Sequence, residues 1–239
     1  MAGHSQFKNI MHRKGAQDAK RARLFAKIAR EIMVCARISP DPESNPRLRA
    51  ALASARAANM PRDNIDRAIK KVTGGEDNAI YEEIRYEGFG PGNVAIIVEC
   101  LTDNRHRTIS DVRTVFTRNG GQMGETGCTG YLFERVGLMQ LSIDTASYDD
   151  VFEAAVNAGA NDVEQDEENY NVICSFEDFV TVRDGVMEKY GDAVQAKTVW
   201  RPFTWIELEE DSDNFRKLEK LLDMLDDNDD VQNVFINAR

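Results

Sequence analysis

The fold is decided by residues 138–200, which read LMQLSIDTASYDDVFEAAVNAGANDVEQDEENYNVICSFEDFVTVRDGVMEKYGDAVQAKTVW. Short runs with apolar residues at alternate positions give way twice to runs with apolar residues three or four positions apart. These two periods are typical of strands and of amphipathic helices, respectively. The pattern predicts the order βαββαβ, with strands at 138–143, 162–165, 170–175 and 195–200 and helices at 148–158 and 176–190. This order is that of a ferredoxin-like domain.

Further α/β segments lie on both sides of this unit. The sequence before it predicts strands at 84–88, 93–101 and 131–133 and a helix at 108–119. The sequence after it predicts a strand at 204–208, a helix at 213–226 and a strand at 231–236. We expect the two sets to form one domain into which the ferredoxin-like unit is inserted, so the predicted fold class is α+β.

The first 75 residues predict three helices. Residues 17–37 carry one apolar stripe at helical spacing, made of Leu24, Phe25, Ile28, Ile32 and Ala36. Asn45 is the expected cap of a second helix with Pro46 at its first position, and a third helix ends at Gly74 and Gly75. The predicted domains are therefore a basic helical domain at 1–77, a discontinuous α/β domain at 78–134 plus 203–239, and the ferredoxin-like α/β domain at 135–202.

Charge is distributed very unevenly along the chain. The net charge is −11, but residues 1–75 hold 16 Lys and Arg against 6 Asp and Glu, a balance of +10. Residues 76–239 hold 14 basic and 35 acidic residues, a balance of −21. A compact module of high positive charge repels itself unless it meets an anion, so the helical domain is predicted to bind nucleic acid.

Candidate phosphate contacts follow from the basic arm at 3–15 and from the helices behind it. They are His4, Lys8, His12, Arg13, Lys14, Lys20, Arg21, Arg23, Lys27, Arg30, Arg49 and Arg56. Lys20, Arg23, Lys27 and Arg30 lie one or two turns apart, opposite the apolar stripe. A solvated terminus is the alternative for the arm, and pairing with the acidic domains is the alternative for Arg47, Arg49 and Arg56.

A second candidate anion site lies at a predicted strand-to-helix junction. Asn104, Arg105 and Arg107 are placed there beside backbone amides at the start of the helix. Helix capping together with ion pairs to Asp103 and Asp111 is an equally good interpretation. The glycine-rich residues 86–93, YEGFGPGN, are followed by a strand rather than a helix, so they predict a hairpin turn and not a dinucleotide loop.

Residues that would support catalysis or metal binding do not come together in the sequence. The three histidines, His4, His12 and His106, form no metal-ligand pair, and the four cysteines are widely scattered. The run at 226–230 lacks the glycine and glutamate of a calcium loop. No apolar run is long enough to span a membrane. We therefore expect a non-enzymatic cytoplasmic protein without cofactor, metal or small-molecule substrate.

Several longer motifs resemble those of the YebC/PmpR family. They are MAGHS at 1–5, HRK at 12–14, QDAKR at 17–21, NPRLR at 45–49, YEGFGPG at 86–92, LTDNR at 101–105, NGG at 119–121 and DVQNV at 230–234. The resemblance implies a helical domain and two α/β domains around an open cleft. It also implies a DNA-binding transcriptional regulator. Because the motif begins at Met1, the resemblance is to bacterial, cytoplasmic members rather than to the mitochondrial translational activators of the family.

The resemblance leaves two targets for the basic domain. One is duplex DNA, bound by a transcriptional regulator. The other is ribosomal RNA, because bacterial members of the family are implicated in relieving ribosomes stalled at proline-rich sequences. The basic helices lack a face rich in base-reading side chains, which favours RNA or shape-based binding. A third interpretation, a protein-interaction scaffold, requires the acidic domains to cover the basic surface.

Overall fold

Three helices form the first part of the chain in the computed structural model, which describes residues 17–75, 79–210 and 212–239. They are α1 (Gln17–Ile38), α2 (Pro46–Ala57) and α3 (Arg62–Thr73). Ile32, Leu48 and Ala68 are buried at their centre, as the apolar spacing predicts. The cap is also as predicted, because the Asn45 side chain accepts a hydrogen bond of 3.0 Å from the Leu48 amide. Its Nδ2 donates to the Cys35 carbonyl at 2.8 Å and so ties α2 to the end of α1.

The rest of the chain forms strands and helices in alternation. In chain order they are β1 (Glu82–Phe89), β2 (Ala95–Thr102), α4 (Arg105–Arg118), β3 (Gln122–Met123), β4 (Phe133–Ser142), α5 (Tyr148–Ala158), β5 (Asp162–Gln165), β6 (Asn169–Ser175), α6 (Phe179–Tyr190), β7 (Gln195–Pro202), α7 (Asp213–Asp226) and β8 (Val231–Ile236). None of the helices in the described ranges is both long enough and apolar enough to cross a membrane.

The first sheet has the antiparallel order β3-β1-β2-β8. Its strand β2 is buried on both faces, which explains the continuous apolar run in its sequence. Ile96 and Val98 pack against α4 and α7, whereas Ala95 and Ile97 lie on the opposite face with Phe133. The turn between β1 and β2 closes with a bond of 2.8 Å from the Gly90 amide to the Val94 carbonyl, so the predicted hairpin is confirmed.

The second sheet has the antiparallel order β5-β6-β4-β7. Together with α5 and α6 it makes the βαββαβ unit predicted from residues 138–200, with the strand order of a ferredoxin-like fold. Val151 and Val182 from the two helices are fully covered by the sheet residues Met139 and Val172. The predicted α+β class is therefore confirmed. The proposed domain boundaries stay a prediction.

Several predicted elements have other bounds in the structure; among them, the helix expected at 176–190 begins at Phe179 and the strand expected at 138–143 begins at Phe133. Residues 131–133 fall mainly in a short 3-10 turn, and β4 begins at Phe133. Residues 204–208 form only one isolated bridge, between Ile206 and Ala238. Helix α4 begins at Arg105 rather than at 108, because the Asn104 side chain caps it.

The two sheets meet through an apolar cluster with a polar contact at its side. Trp200 of β7 donates from Nε1 to the Glu99 carboxylate of β2 at 2.9 Å. The Arg85 guanidinium of β1 lies over the same indole ring, 4.8 Å from its centre. Aromatic, cationic and apolar contacts thus connect the two sheets, whereas helices α1–α3 contact the first sheet through charged side chains.

Candidate nucleic-acid interface

The twelve candidate phosphate contacts divide into three groups. His4, Lys8, His12, Arg13 and Lys14 lie outside the described residues. Lys20, Arg23, Lys27 and Arg30 belong to one face of α1. Arg21, Arg49 and Arg56 are exposed on α1 and α2.

The cationic face of α1 lies against residues 223–230, the last turn of α7 and the turn that follows it, here termed the acidic segment. Arg23 forms an ion pair with Asp227. Lys27 Nζ lies 2.7 Å from Asp226 Oδ1, and the lysine side chain is only 11% exposed. A stripe predicted to meet phosphates thus meets carboxylates of the same chain.

Arg30 extends this contact toward the first sheet. Its Nη1 donates to the Asp229 carbonyl, to the Leu101 carbonyl at 3.3 Å and to Asp230 Oδ1 at 3.2 Å. Its guanidinium also lies 5.7 Å from the centre of the Tyr81 ring. With only 17% of its side chain exposed, Arg30 has little surface left for a phosphate.

Lys20 continues the same face at the other end. Burial raises the pKa of Asp223, and the nearby carboxylates of Asp227 and Asp226 raise it further. The positive charges of Lys20 and Arg23 act in the opposite direction. The pKa of Asp223 nevertheless stays above its ordinary value, because burial and the neighbouring carboxylates outweigh the two cations.

Asp230 is the best satisfied carboxylate of the acidic segment. It accepts hydrogen bonds from Thr108 Oγ1 at 2.7 Å, Thr102 Oγ1 at 3.1 Å and Arg107 Nη2 at 2.9 Å. Burial acts to raise its pKa, but the hydrogen bonds from Arg107, Thr108 and Thr102 outweigh burial and hold the pKa below its ordinary value. Asp230 therefore remains charged and joins α4 and β2 to the turn before β8.

Arg21, Arg49 and Arg56, here termed the exposed cations, point to solvent. The Arg21 guanidinium lies 5.3 Å from the centre of the Phe25 ring and 3.4 Å from the carbonyl of Asn59. Since Asn59 lies two residues beyond the end of α2, Arg21 lies near the end of α2 that carries Arg56. Arg49 is two turns earlier on the same helix and makes only a marginal contact of 3.5 Å with the Glu43 carbonyl.

The predicted second anion site is largely occupied by contacts within the protein. The Asn104 side chain accepts from the Arg107 amide at 3.0 Å and caps α4. Arg107 Nη2 lies 2.9 Å from both Asp103 and Asp230. Arg105 is exposed. The geometry of Asn104 and Arg107 matches the capping and ion-pair alternative, and anion binding at the three residues stays a prediction.

Arg47 forms ion pairs within the chain, which matches the pairing alternative given above for this residue. Its Nε donates to Glu31 at 2.8 Å, and its guanidinium forms a second ion pair with Glu83 at the start of β1. The sequence placed these residues far apart, so nothing local indicated the bridge. The helical spacing of basic residues made the cationic face of α1 visible in the sequence. It did not show that this face would meet the acidic segment.

An open cavity of about 470 Å³ borders the acidic segment. Its lining carries charges of both signs, from Arg30 and Arg107 as well as from Asp103, Asp111 and the acidic segment. Within residues 17–75, 79–210 and 212–239, no three His, Cys, Asp or Glu side chains are grouped so that they could hold a metal ion. Water therefore reaches the contact between α1 and the acidic segment from this side.

Comparison with known proteins covers almost the whole chain. Residues 5–75 match the family profile described as the TACO1/YebC protein N-terminal domain, and residues 81–238 match that of the TACO1/YebC second and third domain. Among solved structures, the chain is similar to the crystal structure of the conserved hypothetical protein Aq1575 from Aquifex aeolicus. The TM-score is 0.83 with 41% sequence identity, covering 96% of this chain and 95% of that chain.

Proposed function

The chain belongs to the TACO1/YebC family of regulatory factors, and from this premise we propose that it is a non-enzymatic, cytoplasmic regulator of gene expression that binds nucleic acid through its helical domain. DNA-binding regulation of transcription is the first form of this proposal. The binding residues are the exposed cations and the basic arm, joined by the cationic face of α1 when that face is available.

The observation that carries the proposal is the separation of charge. Residues 1–75 have a balance of +10 in a chain whose total is −11. The exposed cations lie on this part, on two packed helices that fix their positions. A rigid surface with several arginines suits the phosphate backbone, because guanidinium groups donate two parallel hydrogen bonds to phosphate oxygens.

A second target, ribosomal RNA, is favoured by the residues around the exposed cations. Helix α2 has the sequence PRLRAALASARA, so alanine and serine surround Arg49 and Arg56. Such a surface lacks the asparagine and glutamine side chains that read adenine in the major groove of DNA. It suits recognition through backbone and shape, as in structured RNA. In this second form the protein is a ribosome-associated translation factor that relieves stalls at proline-rich sequences.

One experiment separates the two targets. The protein is purified from growing cells after brief crosslinking, and the bound DNA and RNA are both sequenced. Enrichment of defined promoters supports the transcriptional form and contradicts the ribosomal one. Enrichment of ribosomal RNA alone supports the translational form, and recovery of neither polymer above an untagged control contradicts nucleic-acid binding altogether.

A paired substitution tests the binding surface. Arg49→Ala/Arg56→Ala should weaken binding to the recovered polymer about tenfold and reduce the slope of log K against log salt by about 1.5 to 2, because two phosphate contacts are lost. The matched control is Arg113→Ala/Arg118→Ala, which removes two exposed arginines from α4. Equal weakening by both pairs would show a general charge effect and would reject α2 as the binding surface.

A further inference from the structure

The cationic face of α1 is the part of the helical domain that the acidic segment covers. Arg23, Lys27 and Arg30 contact Asp227, Asp226 and Asp230, respectively, and Lys20 lies near enough to Asp223 to influence its titration. Carboxylate and phosphate oxygens accept the same charge-assisted hydrogen bonds from arginine and lysine. The carboxylates of residues 223–230 therefore occupy positions that backbone phosphates would occupy on this face.

We propose that the acidic segment is an intramolecular competitor of nucleic acid for the cationic face of α1. Phosphates then replace Asp223, Asp226 and Asp227 on α1, and the helical domain separates from the end of α7 as the polymer binds. This inference rests on the proposed function and extends it to a second, covered part of the binding surface.

The contacts of the helical domain make this separation inexpensive. None of the four buried apolar clusters found in the described residues combines side chains of α1–α3 with side chains after residue 79. Ionic and polar contacts through Arg23, Lys27, Arg30 and Arg47 hold the helical domain instead, together with a contact between α2 and β7. Ionic contacts at a surface are weakened by salt and can be replaced by other anions, whereas a shared apolar core cannot.

The carboxylates of the acidic segment remain solvated or hydrogen-bonded when the helical domain separates from them. Asp226 and Asp227 have side chains 70% and 54% exposed, so water already solvates most of each carboxylate. Asp230 keeps Thr102, Thr108 and Arg107, all of them outside the helical domain. Separation therefore leaves no buried charge without a partner, the condition that would otherwise make it costly.

The exposed cations give the polymer a first point of contact. Arg21 lies over Phe25 of the apolar stripe, on a different side of α1 from the covered face, so a polymer held by Arg21 and by α2 reaches that face by passing around α1. A strand anchored there raises the local concentration of phosphates next to the acidic segment. Exchange of carboxylates for phosphates then proceeds along α1 from Lys20 toward Arg30.

Removing two carboxylates tests the competitor directly. Asp226→Asn/Asp227→Asn keeps the side-chain size and is compared with Glu167→Gln/Glu168→Gln, which removes two exposed charges from the loop between β5 and β6. The probes are a fluorescent mixed-sequence RNA and a DNA duplex of the same sequence. We expect the first variant to bind at least one probe roughly 3- to 10-fold more tightly than wild type, in line with the loss of two exposed ion pairs. The control should stay within about twofold of wild type.

The outcomes separate this inference from the proposed function. In one outcome, wild type binds a probe and Asp226→Asn/Asp227→Asn binds it no more tightly than the control variant does. This result overturns the inference that the acidic segment competes with nucleic acid, and it leaves the proposed function standing. Absence of binding by all three proteins to both probes overturns both.

A charge reversal gives a second readout without nucleic acid. Asp226→Lys/Asp227→Lys places like charges against Arg23 and Lys27. Small-angle X-ray scattering should show a larger radius of gyration for this variant than for Glu167→Lys/Glu168→Lys. Equal radii would show that the helical domain stays in place without these ion pairs, which contradicts separation through this contact.

Discussion

The two ends of the acidic segment carry the same kind of side chain but differ in their surroundings. Asp230 is 4% exposed and accepts hydrogen bonds from two threonines and two arginines. Asp226 and Asp227, four and three positions earlier, are mostly exposed, and both form ion pairs with cations of α1. One end therefore holds the first sheet together, and the other holds the helical domain against it. The number of partners and the degree of burial decide between these roles.

The largest effect is expected from Asp230→Ala. The change removes the buried carboxylate to which the Thr102 and Thr108 hydroxyls both donate, and it removes an anion from between Arg30 and Arg107. We expect the free energy of unfolding to fall by about 2–4 kcal/mol, measured by urea denaturation.

The matched control for this variant is Asp229→Ala. Asp229 is exposed, and its contact with Arg30 uses the backbone carbonyl, which the substitution retains. We expect a change within about 0.5 kcal/mol. Comparable losses for Asp229→Ala and Asp230→Ala would remove the distinction between the two ends of the segment.

An intermediate effect is expected from pH. Because the pKa of Asp230 is lower in the folded protein than its ordinary value of 3.8, its charge stabilises the fold fully above that pH. The stabilisation should disappear as the pH falls through the lower folded-state pKa. The measurement is the difference in unfolding free energy between wild type and Asp230→Asn from neutral pH downward. A difference that stays constant below pH 3.8 would contradict the assignment.

Apart from the Asp229→Ala control, the smallest effect on stability is expected from Arg23→Ala. Its side chain is 36% exposed and that of Asp227 is 54% exposed, so water and salt screen the pair. We expect a loss of no more than about 1 kcal/mol, which should shrink further at high salt. A loss as large as that of Asp230→Ala would mean that the exposed end also stabilises the fold, and separation of α1 would then be much less favourable.

Much of the fold could be predicted because the spacing of apolar residues that marks a helix or a strand lies within a short stretch of sequence. The helices at 148–158 and 213–226 and the strands at 162–165 and 231–236 have the predicted bounds, because each shows a clear period between turn residues. The strand expected at 204–208 was wrong in extent, since only Ile206 pairs, with Ala238. The early start of α4 was missed because the Asn104 cap gives the helix a first turn without apolar residues.

Less of the candidate site could be predicted, because its main contact joins residues about two hundred positions apart. The stripe from Lys20 to Arg30 was visible in the sequence, and so was the acidic run at 226–230. Charge patterns do not show which surfaces meet in the folded chain, so the pairing of these two became apparent only in the structure. Tertiary neighbours likewise decide that Arg47 forms ion pairs, whereas Arg49 and Arg56 stay exposed for contact with phosphate.

The position of β8 beside β2 has a consequence for synthesis of the protein. The chain completes β1 and β2 early, but β8 emerges only after the whole ferredoxin-like unit and α7 have been made. At about 5–20 residues per second, the edge of β2 that β8 will cover stays open for roughly 6 to 26 seconds. An open edge of apolar residues is a template for pairing with other chains. Glu99 is the only charged residue in β2, so the rest of that edge is uncharged until β8 pairs with it.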